Sequence, residues 1–344
     1  MRNRRRHSKY PEWLPFSSPT YNDEDCAAWA NALRPMDYPD GPAVWLEQSL
    51  ADLIGVRPDQ VLVTNSATAA LAITYHFFFR EQARLGLPQE LEAPVMTWPA
   101  SYAPAPSYTL VDGDVNGTMW SKKKGIIRTD VQLYGRPYNL APREDSSLIV
   151  LDAAQNLLDP EHRVLLSQKD VDAVVYSFGP VKQISAVRGG CVISPHITPE
   201  WRAFRDSGTV GRYATYPFGC NYEIGEPNAA LAMSQLRRFP DMQEHRKKIL
   251  EIYEHTRGCV TTGIFSGHLA VVQARDPLQA MAWRTALTAA KIKTGLHYPL
   301  PLHLPAVNFP HARDLADTAV TIPCHCSMTL NDARLVSKII RSCG

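Results

Sequence analysis

The stretch SFGPVKQISAVRGGCVIS, residues 177–194, places a single lysine between two apolar segments. The residues before it, DVDAVVYSF (170–178), are typical of a buried strand, and after the paired glycines another β-rich run begins. A lysine ammonium rarely lies among buried strands unless it is paired, because removing a charge from water is costly. Lys182 therefore indicates either a buried ion pair or an amine that is not free.

Outward from this stretch, strand-like segments alternate with helical ones. VLVTN (61–65) predicts a strand, and SATAALAITYHFFFREQARL (66–85) predicts a long helix directly after it. Further strands are predicted within 91–97, 107–115, 125–135 and 146–155. This alternation predicts an α/β fold with a mostly parallel central sheet flanked by helices.

The pattern changes toward the C-terminus, where strands are weaker. Two helices, 229–238 and 242–257, lie on either side of Pro240. We therefore expect an N-terminal arm (1–20), a large domain (21–240) and a smaller α+β domain (241–344). Helices are expected at 277–290 and 331–341 of the smaller domain.

Composition narrows the class of protein. The 344 residues are 45% hydrophobic and 20% charged with a net charge of +2, which is typical of a soluble globular enzyme and does not favour a nucleic-acid binder. The basic start, MRNRRRHSK, is read as a solvated tail, with contact to a polyanion as the alternative. It lacks the apolar region of a secretory signal, and no apolar run is long enough to cross a membrane.

The cysteines carry little signal. Cys324-His325-Cys326 lacks a second ligand pair at zinc-like spacing, so no metal site is predicted. The seven cysteines are scattered, which favours a reducing cytoplasm: Cys26, Cys191, Cys220, Cys259, Cys324, Cys326 and Cys343.

Several polar residues follow predicted strands. Ser66, Ala67 and Thr68 open a helix, where unpaired amides and the positive end of the helix dipole can bind phosphate, although Ser66 could simply cap the helix. Asp152 ends LIVLD at the edge where ligands gather in α/β sheets, and it could equally be a cap. Gln155 could complete a capping box or donate to a ligand oxygen.

These residues fit the requirements of pyridoxal 5'-phosphate (PLP). This cofactor needs a lysine that forms a Schiff base, an acid near its pyridine nitrogen, a stacking ring and a phosphate cup. Lys182 and Asp152 supply the first two, Trp98 in MTWPASY supplies a ring, and Ser177 lies near enough in sequence to Lys182 to bind the phosphate. Packing is the alternative role for Trp98.

The order of the motifs resembles the DegT/DnrJ/StrS family of PLP-dependent sugar aminotransferases of fold type I. The similarity extends from LEQSLADLIGV (46–56) to the last helix. It runs through these segments: VTNSATAAL (63–71), MTWPASYAPA (96–105), DVQLYGRP (130–137), LDAAQ (151–155), VYSFGPVKQ (175–183), GCNYEIGEPNAALAMSQL (219–236), HYPLPLHL (297–304) and IPCHCSMT (322–329).

The resemblance implies roles for individual residues. Lys182 would form the Schiff base and act as general base, Asp152 would lie under the pyridine nitrogen, and Gln155 would lie near the ring hydroxyl. Trp98 would stack on the ring, and Asn221 would reach the phosphate in the neighbouring subunit of a homodimer with shared active sites. Two residues of the C-terminal segments are weaker candidates for contacting substrate, Tyr298 and His303.

Departures from the family pattern affect the substrate side. Ala67 replaces the glycine of the phosphate turn. Arg188 stands where the family usually has glutamate, and Glu223 stands where it has arginine. We expect these two either to form an ion pair of reversed polarity or to change which ligand charge the site accepts. The segment between Asp112 and Asp152 is too short and polar for the family's usual helices.

The implied activity is transfer of an amino group from L-glutamate to a keto-sugar nucleotide or similar carbonyl substrate. The charge reversals and the compact site keep a second hypothesis open, in which the same cofactor decarboxylates, isomerises or eliminates at Cα of an amino-acid-bearing nucleotide or DNA base. A third hypothesis is a cofactor-binding regulator without catalysis. The expected partners are small amines and carbonyl compounds; nucleic acid is not favoured, and no membrane is expected.

Overall fold

The computed structural model describes residues 13–33, 41–114, 117–118, 120–136, 143–145, 147–210, 214–256, 258–260, 267–301 and 303–343. The basic segment 1–9 lies outside these residues. The helices are α1 Asp23–Asn31, α2 Pro42–Ile54, α3 Ala67–Arg84, α4 Pro160–Ser167, α5 Pro199–Arg205, α6 Glu226–Glu254, α7 Pro277–Ala289, α8 Pro310–Thr318 and α9 Leu330–Ser342. Within the described ranges, no helix is both long enough and apolar enough to cross a bilayer.

The strands form one large sheet and three small ones. They are β1 Val61–Thr64, β2 Leu91–Pro94, β3 Tyr108–Val111, β4 Gly113–Asp114, β5 Gly117–Thr118, β6 Ile127–Val131, β7 Leu148–Asp152, β8 Ala173–Ser177, β9 Gly190–Ile193, β10 Thr209–Val210, β11 Ala214–Thr215, β12 Ala270–Gln273 and β13 Ala319–Ile322. The large sheet has the order β1-β9-β8-β7-β6-β2-β3. Only β9 is antiparallel to its neighbours there, so the predicted mostly parallel α/β sheet is confirmed.

Both faces of the large sheet are covered by helices. Along β8, Val174 and Tyr176 pack on the face covered by α2, α4 and α6, whereas Ala173 and Val175 pack on the face covered by α3 and α5. The sheet is apolar on both sides because a parallel sheet buried between helices has no face that must meet water. This explains why DVDAVVYSF is a continuous apolar run and not an alternating one.

The part of the sheet near β2 and β6 is different. On the face opposite α3, the strands carry three buried charged residues, Glu92, Arg128 and Asp130. The guanidinium of Arg128 lies 4.5 Å from the ring centroid of Trp120. Within the described part of the chain between β3 and β7 there is no α-helix, as the short polar connections predict. A polar sheet face is stable here because loops, and not an apolar helix, cover it.

The second lobe is built on the antiparallel pair β12–β13. Its core contains Ile249 and Tyr253 of α6, Trp283 of α7 and Val336 of α9. The described helices α7 and α9 lie within a residue or two of the predicted ranges 277–290 and 331–341. The sequence analysis did not predict α4 and α8, which are short helices with proline in the first turn.

One prediction about helices is wrong. The segments 229–238 and 242–257 belong to a single helix, α6, that continues through Pro240. Proline removes one backbone hydrogen bond, but Phe239 and Met242 on either side are both buried, and their packing outweighs that loss. Because the helix crosses the predicted boundary near residue 240, the division into a large and a small domain remains a proposal.

Candidate active site

The strand order brings the chemistry-bearing residues to one edge of the sheet. The chain leaves β8 at Ser177 and returns antiparallel in β9 at Gly190, so the connection that carries Lys182 lies at the carboxyl end of β8. Asp152 is the last residue of the parallel neighbour β7, and its position opposes Val175 of β8. Ligands of open α/β sheets bind at this edge.

Asp152 is a buried carboxylate held by hydrogen bonds. Its Oδ2 accepts from the hydroxyl of Ser101 at 2.6 Å, and its Oδ1 accepts from the backbone N–H of Ala154 at 3.0 Å. Ser101 is itself in hydrogen-bond contact with Thr97 at 2.8 Å, and its carbonyl accepts from the hydroxyl of Tyr75. Within the described ranges, Asp152 has no ion pair with an arginine, lysine or histidine side chain.

Lys182 lies in the turn after β8, where its backbone N–H donates to the carbonyl of Gly179 at 3.1 Å. The side chain as a whole is half-buried, but protein atoms surround its amine end. Burial lowers the pKa of the amine to about 8, and the nearby Asp152 carboxylate acts in the opposite direction. The amine is therefore partly neutral near neutral pH, which a nucleophile or general base requires.

Gln155 connects the two lobes. Its Oε1 accepts from the backbone N–H of Tyr134 at 2.7 Å, and its Nε2 donates to the hydroxyl of Tyr298 at 2.8 Å. The hydroxyl of Tyr134 donates to the carbonyl of His297 at 2.6 Å. Burial raises the pKa of the Tyr298 hydroxyl, with a smaller contribution from Asp152, so this group stays protonated. These bonds fix Tyr298 beside the strand-end residues.

The start of α3 faces the same edge. Ser66 is the N-cap, and its hydroxyl accepts from the N–H of Ala69 at 3.1 Å. The turn is packed directly against β9, since a Cβ on Gly190 would lie 2.3 Å from the backbone nitrogen of Ala67. Capping occupies the Ser66 oxygen, and the neighbouring amides of Ala67 and Thr68 begin the helix. The structure therefore has a helix N-terminus where the sequence predicts a phosphate site.

Trp98 and Ser177 flank this edge. The Trp98 side chain is 64% exposed, and its ring centroid lies 6.3 Å from that of Tyr298 at a tilt of 50°. A tryptophan that exposed has room for another ring on its surface. The hydroxyl of Ser177 accepts from the N–H of Gly179 at 3.4 Å, a long contact that leaves it available to a stronger partner.

Asn221 lies beside the start of α3. It is exposed, and its carbonyl accepts from the side chain of Asn65 at 3.2 Å. The backbone N–H of Asn65 also donates to the carbonyl of Tyr222 at 2.8 Å. These contacts hold the Asn221 segment at the carboxyl end of β1.

The other predicted substrate residues are not brought into contact. Arg188 and Glu223 form no ion pair within the described part of this chain, so the predicted pair of reversed polarity is wrong within one chain. Burial and the neighbouring Asp206 raise the pKa of Glu223, an effect that Arg205 opposes. His303 is exposed and makes no described contact with the Lys182 turn.

Sequence reasoning missed several groups around Lys182. Ser101 stands in the quoted segment MTWPASYAPA but was not assigned a role. His268 is buried, and burial together with the charges of Lys182 and Arg246 lowers its pKa far below the ordinary value. Burial, with Lys182, also lowers the pKa of His297 to about 4. Both imidazoles are therefore neutral at physiological pH. Only the packing of the second lobe brings them near Lys182.

No group of three or more histidine, cysteine or acidic side chains within the described ranges could hold a metal ion. His325, in the Cys-His-Cys segment, instead contacts the carbonyl of Pro15 through Nε2 at 2.9 Å. This histidine therefore helps to hold the N-terminal segment against the second lobe.

Known structures define the class of fold. A chain from Streptococcus pneumoniae, solved in PLP and PMP forms, aligns with a TM-score of 0.78 at 19% identity. In the PLP form, the alignment covers 96% of this chain and 100% of that one. PseC of Helicobacter pylori, an aminotransferase involved in the biosynthesis of pseudaminic acid, aligns with a TM-score of 0.77 at 18% identity, covering 96% of this chain and 98% of that one. The fold is that of the PLP-dependent sugar aminotransferases.

The sequence identifies the family within that class. The profile of the DegT/DnrJ/EryC1/StrS aminotransferase family matches residues 20–341, and the chain belongs to this family. The UDP-4-amino-4,6-dideoxy-N-acetyl-beta-L-altrosamine transaminase of Campylobacter jejuni is 24% identical over 378 residues, which span 96% of this chain and 97% of the relative. The protein is a PLP-dependent aminotransferase, and the resemblance seen in the sequence is confirmed.

Proposed function

We propose that this enzyme transfers an amino group from L-glutamate to a keto-sugar nucleotide and that Lys182 is the residue that binds PLP covalently. The observation that supports this best is the Lys182 amine, with its pKa lowered to about 8, near the buried carboxylate of Asp152 at the carboxyl edge of the sheet. A lysine of this kind is suited to imine formation and to proton transfer.

The residues at this edge fit the cofactor. Asp152 is buried with two hydrogen-bond donors and no ion-pair partner within the described residues, and a protonated pyridine nitrogen would supply the missing positive charge. The amides at the start of α3, together with Ser66, Thr68 and Ser177, would hold the phosphate. Trp98 would lie against the ring.

When bound, PLP supplies an aldehyde carbon that bonds to amines and a ring that takes up electrons from the substrate Cα. The chain supplies the proton transfers and the orientation. The neutral amine of Lys182 would remove and return the Cα proton, and Asp152 would keep the proton on the ring nitrogen. The hydroxyl of Tyr298, fixed by Gln155, would orient the ring or the substrate from the second lobe.

The substrate assignment is supported by the relatives. The family is one of aminotransferases, and the Campylobacter relative is named as a transaminase of a UDP-linked amino sugar. We propose a nucleotide-linked keto sugar as acceptor on that basis. L-glutamate as donor rests on the family resemblance. Arg188 and Glu223 would tune the charge of the accepted ligand, and His303 remains a weaker candidate for contacting it.

We further propose a homodimer in which Asn221 reaches the cofactor phosphate of the neighbouring subunit. Exposed apolar side chains on the same stretch of chain support an interface, since Phe218 is 67% exposed and Val210 is 46% exposed. A cytoplasmic location is also proposed. The seven cysteines, all of which are described, form no disulfide, as expected in a reducing compartment.

A half-reaction tests the proposal. L-glutamate is added to the PLP-loaded protein, and the visible absorption band and the release of 2-oxoglutarate are followed together. We expect the band to disappear as one 2-oxoglutarate forms per site, in the wild type and in the control Lys248→Ala, which alters an exposed lysine on α6. Lys182→Ala should show neither change.

The acceptor is tested in the second half-reaction. UDP-linked 4-keto sugars should restore the visible band of the glutamate-treated protein. If glutamate leaves the band of the wild type unchanged, transamination from glutamate is wrong. Release of carbon dioxide or isomerised product from an amino-acid-bearing nucleotide would then support the other Cα chemistry.

A further inference from the structure

A second cleft, of about 720 Å³, lies at the opposite edge of the sheet from Lys182. It is lined by the C-terminal half of α3, by Ser147 and Leu148 at the start of β7, and by residues around α5. At 1.5 Å per residue, Arg84 lies about 25 Å along the axis of α3 from its phosphate-facing start. The cleft is therefore distinct from the proposed active site, and its volume is typical of a small-molecule site.

One wall of this cleft is aromatic. The rings of Phe77 and Trp201 are stacked, with centroids 5.0 Å apart and planes within 9°. Phe78 meets the imidazole of His196 edge-on at 5.7 Å, and Tyr216 lines the rim. Aromatic rings that line an open cleft present flat faces and edges on which another planar ring can pack.

The cations in the cleft differ in how they are paired. Arg84 is bound by Glu81 at 2.6 Å, and Arg143 is bound by the buried Asp172 at 2.8 Å. Arg80 has no ion pair within the described residues. Its guanidinium donates to the hydroxyl of Tyr216 and lies 5.6 Å from the Phe77 ring centroid. It therefore offers charged N–H donors beside the aromatic wall.

We propose that this cleft is a second ligand site, which binds a nucleoside monophosphate. The base would pack on the wall formed by Phe77 and Trp201, and the phosphate would bind Arg80. An inorganic anion would leave the aromatic wall exposed, and an uncharged ring would leave Arg80 without an ion pair. The carboxylate of Glu200, which also lines the cleft, would repel the phosphate.

Photolabelling tests this site directly. The PLP-loaded protein is irradiated with 8-azidoadenosine 5'-monophosphate, and the labelled peptides are identified by mass spectrometry. We expect saturable labelling of peptides containing Phe77–Arg84, Trp201 or Tyr216. AMP should compete, and adenosine or inorganic phosphate alone should compete at least about 10-fold more weakly, because each keeps only one of the two sets of contacts.

Two substitutions should change the affinity in opposite directions. Arg80→Gln should weaken labelling about 10-fold through loss of a charged hydrogen bond, and Glu200→Gln should strengthen it about 2- to 5-fold by removing a like charge. The control is Arg57→Gln, an exposed arginine paired with Asp59, and it should label like the wild type. Misfolding cannot account for a gain and a loss at one site.

The proposal is overturned by any of four results. These are labelling confined to peptides near Lys182, equal competition by AMP and phosphate, equal affinity in the Arg80→Gln and Arg57→Gln proteins, and weakened labelling in Glu200→Gln. Since the label is mapped to its peptide, failure here is independent of the glutamate half-reaction.

Discussion

Replacing Gly190 by alanine tests how tightly β9 supports the start of α3. A Cβ at this position would lie 2.3 Å from the nitrogen of Ala67, 2.6 Å from the carbonyl carbon of Ser66 and 2.7 Å from the Cα of Ala67. All three atoms belong to the backbone, so no side chain can rotate away. Either the turn or the strand must move.

The distances set the size of the effect. Ordinary contacts of a Cβ begin at 3.4 Å, so the 2.3 Å approach requires a displacement of about 1 Å. Forced overpacking of this kind costs about 1–3 kcal/mol of the free energy of unfolding. The same displacement moves the amides proposed to bind the cofactor phosphate, and misplacement by about 1 Å is enough to weaken a preorganised site strongly.

The assay compares two glycines of the same connection. Gly179→Ala is the control, because its Cβ would meet the Ser177 hydroxyl at 3.5 Å and the Cγ of Lys182 at 3.7 Å, which are ordinary contacts. Urea unfolding of the cofactor-free proteins should show Gly190→Ala destabilised by about 1–3 kcal/mol and Gly179→Ala within about 0.5 kcal/mol of wild type. PLP titration should show weaker binding only for Gly190→Ala.

Equal urea midpoints and equal PLP affinities for the two variants would refute this reasoning. That result would mean that the turn and β9 separate without cost, so that the close packing does not position the start of α3. A stability loss with unchanged PLP affinity would keep the packing argument but contradict the placement of the phosphate.

Three further predictions concern the groups around Lys182. Since burial lowers the pKa of the Lys182 amine to about 8, the neutral fraction increases with pH, and PLP uptake by the cofactor-free protein should accelerate through about pH 8 and then level off; a flat profile from about pH 6 to 9 would contradict this. Asp152→Asn removes the charge that opposes burial, so stopped-flow uptake should show a lower midpoint pH, and the glutamate half-reaction should slow by about 100-fold; an unchanged midpoint would exclude the coupling. Gln155→Leu leaves the buried N–H of Tyr134 without its acceptor and Tyr298 without its donor, so urea unfolding should show a loss of about 1–3 kcal/mol, and wild-type stability would disprove the brace.

The edge of the sheet could be predicted from the sequence because local signals define it. Continuous apolar runs identify buried strands, and the polar residue that follows each run marks its carboxyl end. Asp152 and Lys182 both follow such runs, so strand pairing alone brings them to one edge. The fold class follows from the same alternation of strands and helices.

Contacts between the lobes could not be predicted in this way. Tyr134 has a positive φ of 61°, and its hydroxyl donates to the carbonyl of His297, which lies 163 residues away in the sequence. Neither local propensity nor periodicity contains that pairing. The neutral imidazoles of His268 and His297 near Lys182 depend on the same packing.

Tertiary packing also decided the places where prediction failed. Pro240 is a strong local signal for a helix end, yet burial of Phe239 and Met242 keeps α6 continuous. Arg188 and Glu223 have opposite charges, but charge alone does not determine which residues meet. Glu223 instead has Asp206 and Arg205 as charged neighbours.

The most direct test of the proposed chemistry is to locate the bond between the cofactor and the chain. The PLP-loaded protein is reduced with borohydride and digested, and the peptides are examined by mass spectrometry. We predict one phosphopyridoxyl group per chain, on Lys182. Modification of a different lysine, or a protein that takes up PLP without any stable label after reduction, would contradict the account.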